Sequence, residues 1–107
     1  MKTLQENQVG NKINGTSLKG YLDGVSYVDL VDTLGEPTFT TPSGDGKVTK
    51  EWVIQYNDEI FTIYDWKTPS SEYTETQLLR WNVGGKSLAY NFIKEVDGRI
   101  TTQTIGG

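Results

Sequence analysis

Hydrophobic positions along this chain change their spacing several times, and each change marks an element. Val28, Val31 and Leu34 recur at helical spacing, Ser26 stands ahead of them as an N-cap, and Asp29 follows three residues later in capping-box position. The pattern predicts a first helix over 26–34, closed by Gly35 in a left-handed conformation with Pro37 just beyond. From Val48 the period drops to two, with Trp52, Ile54 and Tyr56 on one face and Thr49, Glu51, Val53 and Gln55 on the other. Ile60 to Trp66 alternates again after the two-residue turn Asn57-Asp58. The pair therefore reads as an antiparallel hairpin in which Ile54 faces Phe61 and Trp52 faces Ile63, leaving Thr62, Tyr64 and Trp66 on the opposite face. Gln77 to Val83 supplies a further strand, with Leu79, Trp81 and Val83 alternating with Leu78, Arg80 and Asn82. From Ser87 a second helix follows, carried by Leu88, Ala89, Phe92, Ile93 and Val96 and closed by Asp97-Gly98.

The remaining segments are more polar. Residues 1–13 read as a loose N-terminal arm, 17–23 as a short leading strand, 38–46 as a loop rich in Pro, Gly and Ser, and 99–107 as a strand or tail. The expected fold is a single α+β domain over 14–98. It has a small antiparallel sheet of three to four strands with two helices packed on one face, and the other face is open to solvent.

Composition narrows the chemistry. At 107 residues the chain has room for one domain and one modest core. It contains neither Cys nor His, which removes thiol chemistry, zinc sites, Ser-His nucleophile pairs and the usual general base at neutral pH. Carboxylate chemistry survives this exclusion, with Asp65 as its simplest candidate, but no spacing suggests it. The expectation is a binding protein, with no catalytic residue, no metal and no cofactor. No apolar run reaches signal-peptide or membrane-spanning length, so the reading is cytosolic with no membrane partner.

The net charge is −4, and residues 20–46 carry five acids and no Lys or Arg. Direct nucleic-acid binding by that segment is disfavoured, because phosphate contacts need cations, and a basic partner is attracted instead. Asp29, Asp32 and Glu36 form a candidate acidic partner face. The plainer reading of the same residues is a solvated helix face with a favourable first-turn Asp.

Two constellations stand out as ligand- or partner-binding candidates. Tyr64, Trp66 and Arg80 place aromatics beside a cation on neighbouring strands, as interface centres do, with Trp81 and Asn82 adjoining them. Gly84, Gly85, Lys86 and Ser87 lie between a strand and a helix, where backbone N–H groups and a lysine can hold an anion. Arg80 stands where a complete phosphate-binding P-loop needs glycine, and glycines that simply make a tight turn are the favoured reading there. The terminal Ile105-Gly106-Gly107 is similar to ubiquitin-like and sulfur-carrier tails, but the element order is not that of a β-grasp fold.

Several blocks together resemble a family of short, mostly uncharacterised proteins encoded by tailed bacteriophages. They are Asn14-Gly15-Thr16-Ser17-Leu18-Lys19-Gly20-Tyr21, Gly35-Glu36-Pro37, Glu51-Trp52, Thr62-Ile63-Tyr64-Asp65-Trp66-Lys67 and Trp81-Asn82-Val83-Gly84-Gly85-Lys86, spanning 13–95 in the same order. The helix-Gly-x-Pro-strand portion is also similar in fold to BamE-like domains, whose lipoprotein signal is missing here. The phage resemblance implies an accessory protein in a bacterial host cytoplasm that counteracts a host defence or host enzyme. It would do so by sequestering a host protein or a small anionic or nucleotide ligand. A virion or assembly role is the alternative, and the open sheet face leaves room for homo-oligomers.

Overall fold

A computed structural model describes residues 1–40, 50–65 and 76–106. Eight elements follow in order: β1 (Lys2–Thr3), α1 (Glu6–Val9), β2 (Ser17–Val25), α2 (Tyr27–Leu34), β3 (Glu51–Tyr56), β4 (Glu59–Tyr64), β5 (Leu79–Gly85) and α3 (Tyr90–Gly106). The strands form one antiparallel sheet of order β1-β3-β4-β5-β2, so the fold is α+β with five strands instead of three to four.

The hairpin register is the one the alternation predicts. Ile54 pairs with Phe61 and Trp52 with Ile63, and Asn57 and Asp58 both take positive φ, 50° and 64°, as a tight hairpin turn requires. Ser26 caps α2: its Oγ accepts from Asp29 N, and Asp29 Oδ2 accepts from Ser26 N, both at 3.1 Å. Gly35 ends the helix at φ 86°.

One face of the sheet carries α2 and α3. Trp52, Ile54, Phe61, Ile63, Trp81 and Val83 project from the strands against Leu30, Phe92, Val96 and Ile100. Trp52 and Trp81 meet edge to face, and Phe61 stacks on Phe92 with centroids 4.5 Å apart. Both buried indoles are satisfied. Trp81 Nε1 donates to Val25 O at 2.8 Å and Trp52 Nε1 to Gly35 O at 2.9 Å, which fixes the chain on either side of α2.

Three segments differ from expectation. Residues 1–13 are no loose arm: β1 pairs with β3, and Leu4 and Val9 are buried against Val53 beside Ile13, Phe39 and Ile60. This second cluster covers the β3 side of the face opposite α2 and α3, so that face is only partly open. Leu4, Val9 and Ile13 stand alone among polar neighbours, too sparse to mark an element, yet each finds the same patch once the sheet exists. At the other end, α3 runs to Gly106 and absorbs the segment read as a strand or tail, with Ile100 continuing its buried stripe. It also begins at Tyr90, not at Ser87. No helix among the described residues is long and apolar enough to cross a membrane.

Candidate functional site

The uncovered part of the sheet lies over β4, β5 and β2, and registry places four polar-tipped side chains in one line across it. Glu51 is opposite Tyr64, Tyr64 opposite Asn82, and Asn82 opposite Tyr21. The next row reads Val53, Thr62, Gly84 and Leu18. Gly84 is bare because its neighbours fill the space beside it: a Cβ there would stand 2.6 Å from Thr62 Oγ1, with Tyr64 Cε1 at 3.6 Å. On this face lies a hollow of about 410 Å³ lined by Leu18, Tyr21, Tyr64 and Asn82. Leu18 and Tyr21 are large apolar side chains held 47% and 44% exposed at its rim.

β2 reaches this position through two irregularities. Its pairing with β5 shifts between Leu18 and Gly20 and again between Leu22 and Val25, each time inserting one extra residue as in a β-bulge. The first shift brings Leu18 and Tyr21, three apart, to the same face of the sheet. Gly20 lets β2 approach α3, since a Cβ there would stand 2.7 Å from Ile93 Cδ1. At the second shift Gly24 takes φ 68°.

Charges surround the hollow. Arg80 Nε donates to Asp23 Oδ1 at 2.7 Å, and its guanidinium lies 4.9 Å from the centre of the Tyr21 ring. Both partners of this pair are largely exposed, so it contributes little stability and serves to place Arg80 on the ring. At the other end of the row, burial pushes the Glu51 carboxyl above its ordinary range, and the neighbouring Asp65 adds to the shift. Asp65 is itself buried, with Oδ1 accepting from Lys50 N at 2.9 Å. Among the described residues no cation forms an ion pair with Glu51, and Lys50 Nζ lies instead over the Tyr27 ring at 5.2 Å. Burial likewise raises the Tyr64 phenol, opposed by its hydrogen bond to Asn82 and reinforced by Glu51 and Tyr21.

Of the residues singled out in the sequence, Tyr64, Asn82, Gly84 and Arg80 meet at or beside this hollow. Trp66 lies outside the described residues. Trp81 is fully buried in the main core, where its alternation with Arg80 and Asn82 puts it, and offers no surface to a partner. Gly84 and Gly85 do not form a strand-to-helix cradle. They are β5 residues paired on one side with Leu18 and Ser17 and on the other with Thr62 and Phe61. Gly85 is bare because Phe61 Cδ1 would stand 2.9 Å from its Cβ. Lys86 and Ser87 are exposed beyond the strand, and Ser87 Oγ donates to Glu59 Oε2 at 3.0 Å, a carboxylate that opposes an anion there. On the acidic face, Asp29 is engaged in capping α2, while Asp32 and Glu36 are exposed.

Tyr21, Leu18 and Glu51 are the residues the sequence did not offer as site candidates. For Leu18 and Tyr21 the one signal was Gly20 and Gly24 in and beside a strand-like segment, the mark of bulges or close backbone approach, and Glu51 had none. Among the described residues no group of three or more Asp or Glu gathers in metal-binding geometry. Comparison with known proteins finds no matching family model, no matching curated protein and no matching solved structure.

Proposed function

We propose that this chain is a binding protein that engages its partner through the open part of the sheet, over the hollow between Leu18, Tyr21, Tyr64 and Asn82. The observation that carries the reading is the row Glu51–Tyr64–Asn82–Tyr21 beside the bare Gly84. A domain of this size uses its aromatics for its core, yet Tyr21 and Leu18 are held out at the rim of a concave, mixed polar and apolar surface. Tyrosine with neighbouring arginine is the composition of binding centres, and hollows of a few hundred Å³ with a few convergent polar groups are where ligands sit. The phage resemblance supplies the setting for this reading: a bacterial host cytoplasm, with a host defence component or host enzyme as the target.

The test compares immobilised wild-type protein with Tyr21→Ala and Tyr64→Ala in host extract, each variant first checked for native circular dichroism. A Leu88→Ser variant, altered at an exposed position away from the hollow, serves as control. The reading expects one host component, identified by mass spectrometry, to be kept by wild type and control and lost from both tyrosine variants. Retention of that component by the folded tyrosine variants overturns it.

A further inference from the structure

We propose that the hollow between Leu18, Tyr21, Tyr64 and Asn82 receives the guanidinium group of an arginine side chain presented by a basic segment of a partner protein. The inference rests on the binding role proposed above and adds the chemistry that the site recognises.

Three features converge on a planar cation. Two tyrosines, Tyr21 and Tyr64, stand on either side of Asn82, and the faces of aromatic rings attract cations. Arginine suits this better than lysine, because its flat guanidinium stacks on rings while its edge donates hydrogen bonds. The row supplies acceptors for that edge: the side-chain carbonyl of Asn82, which is also hydrogen-bonded to Tyr64, and, at its end, the Glu51 carboxylate. The same surface already carries one such arrangement, with the Arg80 guanidinium over Tyr21 and held by Asp23.

The electrostatics ask for a cation from outside. Asp23 and Arg80 neutralise each other, whereas Glu51 sits partly buried beside Asp65 with no cation paired to it among the described residues. A carboxylate withdrawn from water without a partner is unfavourable, and an arriving guanidinium removes that penalty. A neutral or anionic ligand leaves it in place. At longer range the chain's net charge of −4 favours encounter with a basic segment over an acidic one.

The experiment titrates ¹⁵N-labelled protein with the capped peptide Gly-Gly-Arg-Gly-Gly at low ionic strength, then with the same peptide carrying citrulline, which keeps the shape and removes the charge. The arginine peptide is expected to shift the amides of Leu18, Tyr21, Tyr64, Asn82 and Gly84. The citrulline peptide, and the arginine peptide on Glu51→Gln, are expected to bind at least tenfold more weakly. Equal shifts from both peptides, or unchanged binding by a folded Glu51→Gln protein, overturn the proposal. If neither peptide binds while Tyr21→Ala still loses the captured host component, arginine recognition is overturned and the binding role stands. If Tyr21→Ala keeps that component, the binding role falls, whatever the peptides do.

Discussion

Glu51 on β3 lies directly opposite Tyr64 on β4, a carboxylate placed against a half-buried phenol with a second carboxylate, Asp65, next in sequence to that phenol. Such an arrangement works against the folded state, and its cost should be measurable.

Because burial raises Glu51, the folded chain holds this proton more tightly than the unfolded chain does. Folding therefore takes up protons, and stability falls as pH rises from the ordinary value of 4.5 through the raised folded value. Glu51→Gln removes the charge and keeps the shape. It should melt a few degrees above wild type at pH 7, and the difference should vanish below pH 4.5, as thermal scans across pH will show. A residue whose neutral variant is more stable but binds less is one retained for function.

Gly84 is tightly packed within the sheet. Gly84→Ala puts a methyl 2.6 Å from Thr62 Oγ1, so it should destabilise by about 1–3 kcal/mol in chemical denaturation, the usual cost of overpacking. The double variant Thr62→Ala, Gly84→Ala should recover part of that loss, because the two residues share one space.

The two indoles beside α2 make a separate prediction. Trp52→Phe leaves Gly35 O without its 2.9 Å donor and opens space between Tyr27 and Trp81, both packed on that ring. A loss of about 2–4 kcal/mol is expected from the unpaired carbonyl and the cavity together. Urea unfolding followed by the remaining tryptophan fluorescence measures it.

Ser26→Ala should cost about 1 kcal/mol in the same assay, since it removes the acceptor for Asp29 N at the start of α2. Asp29 belongs to the same reciprocal cap, so a loss of partner binding in Asp29→Ala is informative only if stability is measured alongside it.

Local signals along the chain are enough to place several elements. Alternation fixed the β3–β4 register to the residue, because a slip of one position would turn Trp52, Ile54, Phe61 and Ile63 out of the core. Ser26, Asp29 and Gly35 fixed α2 in the same way, since capping is chemistry between near neighbours. Which distant segments share a surface depends instead on the assembled fold. β2 pairs with β5 across more than fifty residues and carries bulges that break its alternation, so no local period could place Tyr21 opposite Asn82. Leu4 and Val9 likewise became core only through the face that β3 offers them. The row across the candidate site takes one side chain from each of four strands, and one-dimensional spacing records none of those neighbours. It could name Tyr64 and Asn82 as exposed-face residues, but the hollow between them and Tyr21 exists only because β5 lies between β4 and β2.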